Sequence, residues 1–270
     1  MCQLLGMNCN VPTDICFSFT GFQQRGGATD VHADGWGIAF FEDKGVRLFL
    51  DPQPSAHSPI AELVRNYPIR SLNVIAHIRK ATQGTVALEN THPFQRELWG
   101  KYWVWAHNGN LPQFQPELDG SFIPVGNTDS ERIFCWLLQS LRQRFGNQPP
   151  SQDALLESLH ELINPVSALG IFNFLLSNGR CLFAHCSTEL SYIVRRAPFN
   201  VAHLKDEDVS VDFSEVTTPN DRVAIIATLP LTDNEAWISM PPGSLWLFHD
   251  GEALAHRITH PSPVKTLAGN

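Results

Sequence analysis

The second residue of the chain carries the group best suited to covalent chemistry. A cysteine directly follows the initiator methionine in "MCQLLGMN". Because cysteine is small, removal of the methionine is permitted, and the product would carry a thiol and a free α-amine on one residue. A thiolate is a strong nucleophile and an amine is a base, so Cys2 by itself could supply both.

A second stretch, "VWAHNGN" (104–110), could complement that nucleophile. An apolar strand ends there at Asn108 and Gly109. An amide side chain and an unobstructed backbone N–H at one point can together stabilise a developing oxyanion. Asn-Gly is also the strongest signal for a type I′ turn, and taken alone the stretch is better interpreted as a hairpin.

Two charged residues could recognise the ends of an amino acid. Arg79 closes the apolar run "IAHIR", where its rigid fork could bind a carboxylate with two hydrogen bonds. Asp129 lies in "GNTDSE", in which Thr128 and Glu131 form a capping box at a helix start. Its carboxylate either completes the cap or points at a substrate ammonium. Without context, Arg79 is more simply a solvated arginine at a strand end.

The remaining polar motifs are better explained by structure than by chemistry. The glycines of "HADGWGIAFF" (32–41) favour a turn into a strand, although His32, Asp34 and Trp36 could reach a site. Four histidines have neither i,i+4 helical spacing nor a Cys/His zinc pattern, and we expect them to be structural; they are His32, His77, His92 and His107. No metal site is predicted.

The elements that must position these residues are mostly strands. Nine runs rich in β-branched and aromatic residues predict them: 36–41, 46–50, 73–79, 101–107, 171–176, 180–186, 192–196, 222–228 and 244–250. Polar turns between several of them favour antiparallel hairpins. Three helices are predicted at 58–67, 128–146 and 151–164, the last ending before Pro165. The pattern predicts an α+β fold of two stacked, mostly antiparallel sheets with helices outside.

Composition excludes several classes of protein. A formal net charge of −8 argues against nucleic acid or an anionic membrane as the main partner. No apolar run approaches the roughly 20 residues of a membrane span, and no signal peptide is evident. The six cysteines form no CxxC pair, which is typical of a reduced, cytoplasmic protein.

In this order, the motifs resemble those of the class II (N-terminal nucleophile) glutamine amidotransferases, and in particular their stand-alone YafJ-like branch. The shared features are the Met-Cys start, Arg25-Gly26 with "DGWG", "HIRxAT", "NTHPF" (90–94), "HNGN" and "TDSE". Features such as "RRAPF" (195–199) and "IATLPLTDNEAW" (227–237) continue the resemblance. It implies one amidotransferase domain over residues 1–270, with the four-layer αββα sandwich of N-terminal nucleophile hydrolases.

The resemblance also implies roles for individual residues. Cys2, freed of Met1, would attack the γ-carboxamide carbon of glutamine with its own α-amine as base, forming a γ-glutamyl thioester. The other implied residues are Asn108 and Gly109 for the oxyanion, Arg79 for the α-carboxylate, Asp129 for the α-ammonium, and Thr82 for the pocket wall. Arg25 is placed equally well in the pocket or in the scaffold, and His107 is a further pocket candidate. No cofactor is implied.

Several functions remain open at this point. A glutaminase could deliver ammonia to a separate partner protein, because no Gly-rich phosphate loop or Rossmann fingerprint offers an acceptor site. A γ-glutamyl amide hydrolase would use the same residues on a γ-glutamyl thiol compound. Bile-salt and penicillin amide hydrolases also expose a cysteine after methionine but lack this motif order. A catalytically silent binding protein is the fourth alternative. Residues 110–127 and 228–243 are candidate lids.

Overall fold

The computed structural model describes residues 2–81 and 85–260. Its strands are β1 (Gln3–Thr13), β2 (Trp36–Glu42), β3 (Gly45–Asp51), β4 (Ser71–Ile78), β5 (Phe94–Leu98), β6 (Lys101–Asn110), β7 (Ile171–Ser177), β8 (Cys181–Cys186), β9 (Ser191–Arg196), β10 (Val201–His203), β11 (Ser210–Asp212), β12 (Arg222–Ala227), β13 (Ile238–Ser239), β14 (Ser244–His249) and β15 (Glu252–Ile258). Its helices are α1 (Cys16–Gln24), α2 (Pro59–Asn66), α3 (Asp129–Phe145) and α4 (Gln152–Ser167).

Thirteen of these strands form two large sheets. The first has seven strands in the order β13-β9-β12-β1-β4-β2-β3, and the second has six in the order β15-β14-β8-β7-β6-β5. Neighbouring strands of both sheets run antiparallel throughout the described residues. Strand β1 lies in the middle of the first sheet between β12 and β4, so the chain's beginning is held on both edges.

The two sheets stack face to face and the helices cover their outer faces. Small side chains such as Ala39, Ala106 and Ala184 recur in the core between the sheets, which lets the strands approach closely. Helices α1 and α2 pack on the outer face of the first sheet, and α3 and α4 pack on the second. The predicted α+β sandwich with four αββα layers is therefore confirmed.

Two predicted element boundaries are wrong. The "HNGN" stretch is not a hairpin turn: β6 continues through Asn110, because Asn108–Asn110 pair with residues 171–173 of β7. Helix α4 does not stop before Pro165 but runs on to Ser167. The following residue, Val166, is buried in the core beneath the helix, and this burial compensates for the hydrogen bond that proline cannot donate.

The segment 228–243, a candidate lid, is fastened to the body of the protein. Glu235 accepts two hydrogen bonds from the Arg195 guanidinium, at 2.8 and 2.6 Å. The backbone N–H of Met240 bonds to the carbonyl of Leu190, and Leu204 forms a β-bridge with Thr232. These attachments favour a fixed wall over a moving lid. Among the described residues, no helix is long and apolar enough to span a bilayer.

Candidate active site

Cys2 and Asn108 face each other across the gap between the two sheets. Cys2 directly precedes β1 of the first sheet, and Asn108 lies near the end of β6 in the second. The Cys2 backbone N–H donates to Asn108 Oδ1 at 2.8 Å, and Asn108 Nδ2 donates to the Cys2 carbonyl oxygen at 2.8 Å. The two motifs that carry the proposed chemistry therefore meet at one point.

The thiol of Cys2 is held by the backbone of Lys80. The Lys80 N–H donates to Cys2 Sγ at 3.2 Å, and the Cys2 thiol donates to the Lys80 carbonyl at 3.4 Å. Burial raises the pKa of the Cys2 thiol, while the Lys80 N–H and the nearby Arg79 charge counteract that rise. A hydrogen bond from a backbone N–H stabilises the thiolate, which is the reactive form.

Asp34 fixes the backbone that holds the thiol. Its Oδ2 accepts a hydrogen bond from the Ala81 N–H at 2.8 Å. Its own N–H donates to the Arg79 carbonyl at 3.2 Å, and the Arg79 N–H donates to the Gly35 carbonyl at 2.8 Å. The sequence predicts a structural turn at Asp34, and these contacts show that the turn also supports the backbone around Cys2.

Arg79 is buried directly after β4, the strand that pairs with β1. It is only 3% exposed, and its Nη1 donates to the Thr85 carbonyl at 3.0 Å. Gln3 pairs with Ile78 in antiparallel register. Cys2, which precedes Gln3, therefore lies beside Arg79, which follows Ile78. Burial lowers the pKa of the Arg79 guanidinium, and the Cys2 and Asp34 charges counteract this. The solvated arginine that the local sequence favoured is not what the structure shows.

Asp129 lies at the first turn of α3, close to the end of β6. Thr128 caps this helix by accepting the Glu131 N–H at 3.2 Å. Asp129 Oδ2 accepts the N–H of Leu111 at 2.9 Å, and Oδ1 accepts the N–H of Ser130 at 2.8 Å. The carboxylate is thereby oriented by α3 and by Leu111, which directly follows β6 and lies three residues after Asn108 along the chain.

The backbone around Asn108 is fixed from the neighbouring strand. Asn173, on β7, is fully buried and donates to the Asn108 carbonyl at 3.1 Å. A Cβ on Gly109 would collide with the Ile171 carbonyl and with His107 Nε2, so only glycine fits there. Asn173 was not predicted, because nothing in its local sequence indicates a partner 65 residues away.

The start of β1 is held by an extension of β12. Leu4 donates its N–H to Thr228 Oγ1 at 2.9 Å and accepts the Thr228 N–H at 3.1 Å. Arg25 binds the next two carbonyls, those of Leu229 and Pro230, at 2.9 and 2.7 Å, and it pairs with Asp206 at 2.7 Å. Of the two placements predicted for Arg25, these contacts correspond to the scaffold.

His107 points away from Cys2. It neighbours Asn108 on β6, and successive side chains of a strand point to opposite faces. Its Nδ1 lies 2.7 Å from Ser130 Oγ, beneath the start of α3. Burial lowers the pKa of His107, and the charge of Asp129 counteracts this. His107 therefore lies beside the start of α3, and its predicted contribution to the pocket stays a prediction. Thr82 lies outside the described residues.

A histidine of the first sheet, His77 on β4, is also buried. His77 stacks on His92 with ring centroids 4.3 Å apart. Burial lowers the pKa of His77 to about 3, so its imidazole is neutral near pH 7. In residues 2–81 and 85–260, no group of three or more His, Cys, Asp or Glu side chains is arranged to hold a metal ion.

Comparison with known proteins identifies the family to which the chain belongs. A family model described as class-II glutamine amidotransferases matches residues 1–268. An Escherichia coli protein named YafJ, provisionally described as a glutamine amidotransferase, is 58% identical over 252 residues, which cover 93% of this chain and 99% of the relative. A Haemophilus influenzae protein with a similar description is 52% identical over 97% of this chain and 88% of its own length.

Solved structures give the same result for the fold. The crystal structure of a predicted glutamine amidotransferase from Pseudomonas aeruginosa superposes with a TM-score of 0.75 at 48% identity, covering 94% of this chain and 99% of that one. Glutamine phosphoribosylpyrophosphate amidotransferase from Bacillus subtilis gives a TM-score of 0.54 at 13% identity, covering 95% of this chain and 49% of that one. At 13% identity, the match to the Bacillus subtilis enzyme is evidence for a shared fold alone.

Proposed function

Because the chain belongs to the class II glutamine amidotransferases, we propose that it hydrolyses the γ-carboxamide of glutamine through a thioester on Cys2. The pair of hydrogen bonds between Cys2 and Asn108 carries this proposal. These bonds bring the Cys2 backbone nitrogen into direct contact with the Asn108 amide, which supports their proposed roles as base and oxyanion donor beside the thiol. The proposal treats residues 1–270 as one amidotransferase domain.

In the first step, the Cys2 thiol loses its proton to the α-amine that removal of Met1 creates. An α-amine has an unperturbed pKa of about 7.7–8.0, which suits proton transfer near neutral pH. The sulfur attacks the amide carbon, and the carbonyl oxygen becomes an oxyanion. Asn108 Nδ2 and the Gly109 N–H stabilise that charge.

In the second step, the tetrahedral intermediate collapses. The C–N bond breaks, the amine's proton passes to the leaving nitrogen, and ammonia departs from the γ-glutamyl thioester. Water then adds to the thioester carbon with the α-amine again as base, and glutamate is released with the thiol restored. Arg79 binds the substrate's α-carboxylate and Asp129 its α-ammonium throughout.

The test begins with protein shown by intact mass spectrometry to lack Met1. Glutamate release from glutamine should be measured for this protein and for Cys2→Ala. Adding hydroxylamine should divert product to γ-glutamyl hydroxamate, because the thioester is intercepted. Unchanged hydrolysis by Cys2→Ala would refute the mechanism, and no turnover of any γ-glutamyl amide by the Met-free protein would favour a silent binding protein.

A second candidate is hydrolysis of a γ-glutamyl amide with a larger, thiol-bearing leaving group. Its support is that four apolar side chains are exposed on the segments that follow Arg79 and precede Asp129, namely Val86, Leu88, Ile123 and Val125. Such side chains could contact a leaving group bigger than ammonia. Comparing kcat/KM for glutamine and γ-glutamylcysteine separates the two candidates.

The destination of the ammonia and the cellular location belong to the same proposal. If glutamine is the substrate, the product ammonia passes to a separate partner protein. All six cysteines are free thiols in the structure, which supports a reducing compartment such as the cytoplasm. Measuring glutaminase activity with and without candidate acceptor proteins from the same cell tests the first point.

A further inference from the structure

The "NTHPF" motif contains a buried residue for which the proposed mechanism has no use. Asn90 ends the 3-10 turn Leu88–Asn90 and is 1% exposed. Its Nδ2 donates to the Thr85 carbonyl at 3.1 Å and to Asn127 Oδ1 at 2.9 Å, and lies 3.3 Å from Thr85 Oγ1. Its Oδ1 accepts the Asn127 N–H at 3.0 Å. Both polar atoms of the amide are therefore used.

These contacts join the surroundings of Arg79 to those of Asp129, the two residues proposed to bind the substrate's α-carboxylate and α-ammonium. The Thr85 carbonyl that Asn90 binds also accepts a hydrogen bond from Arg79 Nη1, at 3.0 Å. On the other side, Asn127 immediately precedes Thr128, the cap of α3, and Asp129 follows. One buried side chain thus connects the loop that holds Arg79 with the loop that leads to Asp129.

The Asp129 side of this connection is rigid. Glu131 accepts the N–H groups of Val125 and Gly126 at 3.0 and 2.7 Å, and Arg96 binds Glu131 at 2.5 Å. A Cβ on Gly126 would collide with Asn90 Oδ1, so the loop packs tightly against this amide. A loop fixed to α3 in this way transmits the position of Asn90 to the helix start.

We propose that Asn90 is a positioning residue that sets the spacing between Arg79 and Asp129 and so selects an α-amino acid head. The inference rests on the proposed function, in which those two residues bind carboxylate and ammonium. In an α-amino acid both charges are attached to one carbon, so their separation is fixed. When Arg79 and Asp129 are held at the separation that matches these two groups, the site favours an α-amino acid over an analogue that lacks the amine.

The substitution Asn90→Asp tests this with little change in shape. The acceptor for the Asn127 N–H remains, but the donors to Thr85 and Asn127 Oδ1 are replaced by an oxygen that repels both. Thr91→Val is the matched control: Thr91 is equally buried and bonds to the Ala87 carbonyl of the same turn, but within the described part of the chain it makes no hydrogen bond to Thr85 or Asn127.

The readout is protection of Cys2 from iodoacetamide by glutamate, the product, in Met-free protein. For Asn90→Asp we expect the half-protecting glutamate concentration to rise at least about tenfold, the loss of roughly one charge-assisted contact. The alkylation rate without glutamate should stay within about twofold of wild type, since the Cys2 contacts are untouched. Wild type should be protected better by glutamate than by glutarate, and Asn90→Asp should lose that preference.

Asn127→Ala, at an exposed position, provides a second variant that does not disturb the core. It removes the side-chain amide and with it the Oδ1 acceptor for Asn90 Nδ2, and we expect about a threefold rise in the half-protecting concentration. Wild-type protection in Asn90→Asp, or equal losses in Thr91→Val, would overturn the inference. Failure of glutamate to protect wild-type Cys2 would instead refute the head-binding roles of Arg79 and Asp129, and the inference would fall with them.

Discussion

The backbone of Cys2 and the side-chain amide of Asn108 exchange two hydrogen bonds of 2.8 Å, although the residues are 106 positions apart and belong to different sheets. The Cys2 nitrogen in this pair is the atom that becomes the α-amine when Met1 is removed, and its contact with Oδ1 holds it beside the thiol. Because an amide NH2 has two protons, Nδ2 can bind the Cys2 carbonyl and still donate to a substrate oxyanion.

Replacing the Asn108 donor should impair turnover more than binding. Asn108→Asp keeps an acceptor for the Cys2 N–H but removes the NH2 group, so we expect kcat for glutamate release to fall about 10²–10³-fold with KM little changed. Asn178→Asp, at a distant turn where the side-chain oxygen only accepts hydrogen bonds, is the control. A wild-type kcat in Asn108→Asp would contradict the assignment.

Retention of Met1 should abolish activity, because the Cys2 nitrogen is then part of a peptide bond and cannot act as a base. Protein expressed while methionyl aminopeptidase is inhibited should lose at least about 100-fold in specific activity, the typical contribution of a general base. Intact mass spectrometry gives the Met-free fraction, and activity should be proportional to it across preparations. Turnover independent of that fraction would exclude the α-amine as the base.

Neutralising Asp129 should weaken binding of the substrate's ammonium. Asp129→Asn can still accept the Leu111 N–H but carries no charge, and we expect KM for glutamine to rise about 10–100-fold with a smaller change in kcat. Initial rates over a range of glutamine concentrations give both constants. Glu117→Gln, at an exposed position before α3, should leave them unchanged. Equal effects in the two variants would point to general electrostatics instead.

Buried histidines should make the fold less stable in acid. The pKa is lowered by burial to about 3 for His77 and to about 4 for His185, against about 6.5 in the unfolded chain. Below pH 6.5 the unfolded chain therefore binds protons that the native protein does not, and the free energy of unfolding falls as pH falls. Each histidine contributes up to about 1.4 kcal/mol per pH unit, down to about pH 4 for His185 and about pH 3 for His77.

Urea unfolding at a series of pH values between 6.5 and 4 measures that slope. His77→Leu should make the slope shallower by roughly one histidine's share, about 1.4 kcal/mol per pH unit at most. His57→Gln, at an exposed position, should leave it as in wild type. An unchanged slope in His77→Leu would show that this histidine does not resist protonation in the fold.

The ion pair between Arg195 and Glu235 should stabilise the fixed wall formed by residues 228–243. Arg195 is 8% exposed, and its guanidinium lies 4.6 Å from the centroid of the Phe213 ring. Glu235→Gln leaves that charge without its partner, and we expect the free energy of unfolding to fall by about 2–3 kcal/mol. Thermal unfolding with Glu215→Gln as an exposed control checks this, and a wild-type Tm in Glu235→Gln would contradict it.

Helix α3 shows what local sequence is sufficient to predict. The signals that define it, the capping box at Thr128 and the apolar face that follows, lie within the helix or directly beside it. Its cap hydrogen bond from Glu131 to Thr128 forms as the spacing predicts. Strands such as β2 and β14 were likewise predicted to within one residue, because their apolar runs are bounded by turns close in sequence.

Strand β1 shows what local sequence hides. Gly6, Asn8 and Pro12 are poor strand residues, and no strand was predicted there, yet β1 is central to the first sheet. Asn8 is fully buried because its amide binds Asn73, the Arg180 carbonyl and the Gly251 N–H. Helix α1 was also missed: its N-cap makes no side-chain hydrogen bond and its Phe-rich sequence has no clear apolar face.

By itself, the sequence determined which chemical groups are available: a cysteine that can become the N-terminus, an amide, an arginine and an aspartate, each in a recognisable local motif. Only the tertiary structure decided that Cys2 meets Asn108, that His107 faces α3, and that Arg25 belongs to the scaffold. The reason is physical. A side chain's type and its local backbone follow from neighbouring residues, whereas contacts between sheets depend on burial and hydrogen bonding among residues far apart in the chain.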